Sequence, residues 1–190
     1  MNQKGRWIVI TGGPYSGKTS LLERLASRGF RTLPEAAIRV IDALNTELGV
    51  EGQRTWRLAH AVDFQDRVAR EQELQERGLQ LRDGEVLFAD RGLPDSIGYC
   101  RYKGVEPPRW LVEATREKRY TEVLLLDTLS TFDRRLSSGR TSTYEDSLRI
   151  RDHLRATYEE LGYPVLSVPE LPIGERDAFA LRLLSLSDAR

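Results

Sequence analysis

Trp7-Ile8-Val9-Ile10-Thr11-Gly12-Gly13-Pro14-Tyr15-Ser16-Gly17-Lys18-Thr19 decides the reading of this chain. Its four leading residues are apolar at every position, which suits a strand covered on both faces. The residues from Gly12 to Thr19 fit G-x-x-x-x-G-K-[ST] at every fixed position. Glycines permit the tight loop and keep side chains away from the centre. Successive backbone N–H groups then point inward, and the helix that follows adds its positive end, so the loop can hold phosphate. Leu21, Leu22 and Leu25 supply the apolar stripe of that helix, with Gly29 as its C-cap. A chance glycine-rich turn would have no reason to sit between such a strand and such a helix.

The cradle expected from this stretch comprises Gly12, Gly13, Pro14, Tyr15, Ser16, Gly17, Lys18, Thr19 and Ser20. Lys18 would reach the β- and γ-phosphates of ATP, with GTP as the alternative base, and Thr19 would set its hydroxyl on Mg²⁺. No N-K-x-D element occurs in the chain, which favours ATP.

Further apolar runs follow at Phe30–Leu33, Val86–Ala89, Val123–Leu126 and Val165–Val168. Helical patterns separate them: Ala36 to Leu48, Arg54 to Arg77, and a segment opened by the capping box Thr143-x-x-Asp146 and closed by Gly162 and Pro164. Strands alternating with helices predict an α/β sandwich on a five-stranded parallel sheet. Ligands of such sheets sit at the carboxyl ends of the strands. Asp90 stands at one such end, in Phe88-Ala89-Asp90-Arg91-Gly92. It can complete the magnesium site begun by Thr19, and the other reading is an ordinary strand-end acid. Arg91 can grip a phosphoryl group or acceptor, or form a structural salt bridge.

Composition bounds the rest. The chain has 190 residues, with Lys+Arg and Asp+Glu both at 29. That length fits one domain over 1–190 with a core of its own. Zero net charge gives no overall basic field for a nucleic-acid backbone. The single cysteine, Cys100, and two histidines make no disulfide and no conventional zinc site. No apolar stretch reaches the roughly 18 residues of a membrane span, and the expected location is the cytoplasm. His60 reads as the polar middle of a long helix, Glu71-Gln72-Glu73 and Arg116 to Arg119 as solvated faces. Trp56, Trp110, Tyr99 and Tyr102 can stack an acceptor ring or simply pack.

With these elements placed, the chain resembles nucleoside- and nucleotide-kinase-like P-loop proteins, and in particular the small AAA domain ATPase/kinase-like proteins that also resemble nicotinamide riboside kinase domains. The likeness is carried by Ile10 to Thr19, Leu33-Pro34-Glu35-Ala36-Ala37-Ile38-Arg39, Asp90-Arg91-Gly92-Leu93-Pro94-Asp95, and Leu161-Gly162-Tyr163-Pro164-Val165 with Val168-Pro169. It implies a three-layer P-loop NTPase sandwich with the strand order 2-3-1-4-5, and an ATP-dependent, magnesium-requiring phosphotransferase acting on a small hydroxyl acceptor. It implies Glu35 as general base, although here proline precedes the glutamate instead of following it; otherwise Glu35 is an acid in a helix's first turn. Gly92 replaces the serine of the kinases' acid-Arg-Ser element, and Asp95 would line the acceptor pocket or cap a helix from Ser96 to Arg101. A lid over 130–143 would bring arginines, chiefly Arg135 and Arg140 and also Arg134, to the transferring phosphates, with Arg149 and Arg151 as further candidates; a solvated basic loop is the other reading. Two alternative functions stand beside this one: polynucleotide 5′-hydroxyl phosphorylation, and a nucleotide-regulated binding module.

Overall fold

The structure is a computed structural model that describes residues 4–117, 119–130 and 143–188. Five strands form one parallel sheet, β1 (Arg6–Gly12), β2 (Arg31–Leu33), β3 (Val86–Asp90), β4 (Glu122–Leu126) and β5 (Val165–Val168), in the order β2-β3-β1-β4-β5. The expected strand set and order are those observed.

Successive residues of β1 supply opposite faces, which is why the run is apolar throughout. Ile8 and Ile10 join Phe88, Leu124, Leu126 and Val168 on one side. There they meet Leu21, Leu22 and Leu25 of α1 (Lys18–Ser27) and Ala180, Leu181 and Leu184 at α7 (Ile173–Leu183). Trp7 and Val9 join Leu87, Ala89 and Val123 on the other, under Tyr120, Tyr158 and Tyr163. Each fully buried leucine or isoleucine contributes about 1.5–3 kcal/mol. Leu124, at the centre and fully buried, would cost about 2–5 kcal/mol as alanine.

Register sets the site. Ile10 pairs with Asp90 and Gly12 with Leu126, so the loop leaving β1 emerges beside the end of β3. The chain then turns sharply, with the Arg91 amide donating to the Ile10 carbonyl at 3.0 Å. The predicted Thr143 capping box is present: the Asp146 amide donates to Thr143 Oγ1 at 3.1 Å, and the Thr143 amide to Asp146 Oδ2 at 2.8 Å. It opens α6 (Tyr144–Glu160).

The expected break at Gly49 is present: its φ 71° and ψ 169° are non-helical and interrupt α2 (Ala36–Ala59) as a kink. Two other helix readings are corrected. The expected continuous helix from Arg54 to Arg77 breaks at His60, so α3 runs Ala61–Glu76. His60 is therefore a corner, not a mid-helix residue; its ring stacks on Trp56 at 5.1 Å. Neither glycine nor proline marks that break, which hid it from sequence. Finally α4 spans Leu93–Tyr102 and starts earlier than Ser96, because Pro94 suits a first helical turn. A short α5 (Arg109–Ala114) precedes β4.

Candidate active site

The phosphate cradle is built by backbone. Gly12 lies at φ +144°, and a Cβ there would sit 2.6 Å from the Leu126 carbonyl oxygen. Only glycine meets both demands. A Cβ on Gly13 would lie 2.3 Å from Ser147 Oγ, because α6 presses directly on the loop. Ser147 Oγ donates to the Pro14 carbonyl at 2.7 Å and lies 2.8 Å from Thr128 Oγ1. Tyr15 holds φ 59°, a left-handed conformation that costs a non-glycine residue energy and is typical of functional loops. Inside the cradle Lys18 Nζ donates to the Gly12 and Gly13 carbonyls at 3.0 and 2.8 Å and to Ser16 Oγ at 3.2 Å. Thr19 is exposed and Ser20 half-buried at the start of α1.

Asp90 lies beside this loop, 2 % exposed, and its Oδ1 accepts no hydrogen bond among the described residues. Burial pushes its carboxyl up to about 6; Lys18 opposes that rise and Glu35 adds to it. A buried, unpartnered carboxylate oxygen is costly unless a cation or donor completes it. Among the described residues no group of three or more His, Cys, Asp or Glu could hold a metal ion. Magnesium, however, needs only one or two protein ligands when phosphates and water fill its octahedron. Asp90 and the Thr19 hydroxyl fit that sparse requirement.

Next to Asp90 lies a buried ionic cluster. Arg91 adopts φ 74° and turns its guanidinium back across the strand ends. Its Nε donates to Glu35 Oε1 at 3.0 Å and its Nη1 to Asp95 Oδ1 at 2.8 Å, with a longer contact of 3.4 Å to the Gly12 carbonyl. The ring of Tyr99 lies 5.2 Å from the guanidinium carbon. Despite its burial, the surrounding anionic and aromatic groups push the Arg91 pKa well above the ordinary arginine value. Asp95 is saturated: Thr11 Oγ1 donates to Oδ1 at 2.6 Å, Tyr158 OH to Oδ2 at 2.6 Å, and the Gly92 amide to Oδ2 at 3.2 Å. Removing one partner from such a cluster strands a buried charge and costs about 3–5 kcal/mol.

Beyond the cluster a cleft of about 140 Å³ opens between α2, α3 and α4. Pro14 of the cradle, Glu35, Arg91 and Asp95 line one end of it; Ile41, Phe64, Val68 and Tyr99 line the apolar remainder, with Gln65 and Arg57 as further polar groups. A concave, mostly apolar site with a few convergent polar groups is the ordinary form of a small-molecule pocket.

The cradle, the strand-end acid and the adjoining cleft agree with a sequence profile for the AAA domain family that matches residues 7–176. The chain belongs to the AAA domain family. Among solved structures this AAA domain is similar to thymidylate kinase from Ehrlichia chaffeensis, with a TM-score of 0.61, 14% identity, and cover of 95% of this chain and 99% of that one. It is also similar to deoxyadenosine kinase from M. mycoides, with a TM-score of 0.63, 13% identity, and cover of 94% and 98%. The third is the NadR protein in complex with NR, with a TM-score of 0.56 and 17% identity; there the likeness spans 98% of this chain but 51% of the other. At such identities the likeness is one of fold. No protein of curated function matches the AAA domain by sequence.

The AAA domain brings Lys18, Glu35, Asp90 and Arg91 together at one end of the sheet. Arg91 stands here as a salt-bridged group, the alternative to a free phosphate grip. Asp95 both caps α4 and lines the cleft. Arg134, Arg135 and Arg140 lie outside the described residues, as does most of the expected lid over 130–143. Arg151 pairs with Asp127 at 3.1 Å, and Arg149 is exposed. Of the four aromatic candidates Tyr99 lines the cleft; Trp110 packs at α5 and donates its indole N–H to Asp66. One expected solvated face is corrected and the other in part. Gln72 is buried, since α3 packs its polar side on the interior; Arg116 and Glu117 are exposed as expected, but Arg119 pairs with Glu73 and Glu76.

Sequence reasoning missed Thr11, Tyr158, Ser147 and Arg176. Arg176 is buried and donates from Nη1 to the Ser16 carbonyl and from Nε to the Leu171 carbonyl, bracing the cradle from α7. Their contacts with the cradle and with Asp95 span 63 to 160 positions, and no local spacing could have linked them.

Proposed function

We propose that this AAA domain transfers the γ-phosphoryl group of ATP to a hydroxyl of a small, nucleoside-like acceptor. The observation that carries the reading is the open cleft, lined at one end by both Glu35 and Pro14 of the phosphate cradle. A nucleotide-regulated switch would not need an empty cavity beside its triphosphate. The structural neighbours point the same way: two are kinases, of a nucleotide and of a nucleoside, and the third is a protein holding NR.

The chemistry follows from charge. Loop amides and Lys18 hold the β- and γ-phosphates, with Lys18 Nζ exchanging its present carbonyl partners for phosphate oxygens. Mg²⁺, held by Asp90 and the Thr19 hydroxyl, would neutralise charge on the transferring group. The acceptor binds in the cleft. Its hydroxyl oxygen forms the new bond to the γ-phosphorus as the bond to the bridging oxygen breaks and ADP leaves. Its proton passes to Glu35, whose carboxylate is held in place by the Arg91 guanidinium 3.0 Å away. The lid arginines, Arg135 and Arg140, would stabilise charge on the equatorial oxygens.

The test is ATP turnover against a panel of nucleosides. Acceptor-dependent turnover that falls at least about a hundredfold in Glu35→Gln, within the range of general-base catalysis, supports the reading. Background turnover across the panel with ATP binding intact rejects it.

A further inference from the structure

The Asp90-Arg91-Gly92 turn has a second set of supports, on the side away from the cradle. Tyr120, buried just before β4, places its hydroxyl 2.9 Å from the Leu93 amide, from which it accepts. The same hydroxyl donates to Glu76 Oε1 at 2.7 Å. Glu76 is 4 % exposed, and its Oε1 also accepts from Gln72 Nε2 at 2.8 Å. Gln72 Nε2 in turn makes a long contact of 3.5 Å with the Arg91 carbonyl. Arg119 approaches the far oxygen of Glu76 at 3.4 Å. A hydrogen-bonded chain thus runs from the end of α3 through Tyr120 to the first amide of α4.

That amide is one a helix cannot satisfy for itself. It also lies two residues from Arg91, whose left-handed φ of 74° is unfavourable for a side chain with a Cβ. A conformation of that kind persists only where its surroundings over-determine it. The Ile10 carbonyl fixes the Arg91 amide from one side at 3.0 Å. Tyr120 fixes the Leu93 amide from the other. Gly92 between them is fitted to the tyrosine: a Cβ there would lie 2.7 Å from Tyr120 Cζ and 2.8 Å from its oxygen. This explains why glycine stands where the resembling kinases have serine. The ring and hydroxyl of Tyr120 occupy the space a serine side chain would need, and the phenol supplies the capping group.

We propose that Tyr120, oriented by Glu76, is a positioning residue that holds the Arg91 turn and so aims its guanidinium at Glu35 and Asp95. The consequence for turnover rests on the phosphoryl-transfer reading above; the positioning itself does not.

The experiment compares Tyr120→Phe and Glu76→Gln with the native chain by amide hydrogen exchange over residues 91–97, ATP affinity and acceptor-dependent kcat. Tyr120→Phe keeps the ring but removes the acceptor for Leu93. Residues 91–97 should exchange about tenfold faster or more, while α1 and β4 keep their protection and ATP affinity stays within about twofold. kcat should fall about tenfold or more, more than KM changes, since a misaimed charge weakens the transition state first. Glu76→Gln retains an oxygen that accepts from Tyr120, and should stay within about threefold of native in exchange and kcat. Unchanged exchange in Tyr120→Phe overturns the proposal, whether or not the native chain transfers phosphate. Faster exchange with native kcat overturns the link to Arg91's role. Loss in Glu76→Gln equal to that in Tyr120→Phe also overturns it, because the charge and not the hydrogen-bonded chain would then hold the turn. A native chain that transfers to no acceptor defeats the phosphoryl-transfer reading alone, and the exchange data then decide the positioning.

Discussion

The phosphate cradle and the adjoining cleft share the end of one sheet but are built in opposite ways. The cradle is contiguous, from Gly12 to Thr19, and its working parts are backbone groups plus Lys18. The cleft draws Glu35, Gln65, Arg91, Asp95 and Tyr99 from α2, α3, α4 and the ends of strands, and its working parts are buried side chains. In the cradle, specificity for phosphate comes from loop geometry. In the cleft, charge is held by mutual pairing: one arginine between two carboxylates. The first kind of site is limited by backbone space, as at Gly12 and Gly13; the second by the loss of any paired charge.

Substitutions can break this contrast. The largest effect is expected for Lys18→Ala, which removes the side chain proposed to meet the transferring phosphate. Turnover should fall by about three orders of magnitude or more, while melting in the absence of nucleotide shifts little. Steady-state kinetics and a thermal melt read the two halves. Asp95→Ala should do the reverse. It leaves Arg91, Thr11 and Tyr158 without their shared acceptor, and stability should drop by about 3–5 kcal/mol in denaturant titration. If Asp95→Ala melts like the native chain, the cleft is not held by its ion cluster.

A smaller effect sharpens the border between the two regions. The Asp90 carboxyl titrates at about 6 in the folded chain, above its ordinary 3.8. The folded state therefore holds that proton more tightly than the unfolded one. The stabilisation from this group is complete below pH 3.8 and is lost as pH rises through about 6. Asp90→Asn removes that loss. In EDTA it should be more stable than the native chain at pH 7.5 by at most about 3 kcal/mol, and no more stable at pH 4, by melting at both pH values. The smallest effect belongs outside both regions: His60→Ala, at an exposed helix corner, should change stability by less than about 0.5 kcal/mol and leave turnover alone.

The contrast also explains what could be read from sequence. The five strands were legible because apolar runs flanked by turns are a local signal, whereas their order followed from the resemblance to P-loop kinases. The cradle was legible because its pattern is contiguous. Asp90 and Arg91 were placed correctly at a strand end, but Arg91's partners were not foreseen, since Glu35 lies 56 residues away. Asp95 as the hub of a four-donor cluster left no sequence signal, because Thr11 and Tyr158 reach it from 84 and 63 positions off. The break at His60 was invisible because tertiary packing, not glycine or proline, ends that helix. Polar residues on α3 read as solvated because a buried hydrogen-bonded network, Gln72 and Glu76 with Tyr120, has the composition of a surface.

The most direct test follows the phosphoryl group itself. The native chain is incubated with Mg²⁺ and ATP labelled with ¹⁸O at the γ-phosphate, together with a mixture of nucleosides. Lys18→Ala serves as the blank, and mass spectrometry locates the label. The account requires labelled phosphate on the hydroxyl of at least one acceptor, absent from the blank and strongly reduced in Glu35→Gln. Label found only in inorganic phosphate, at equal rates with and without acceptors, would contradict it.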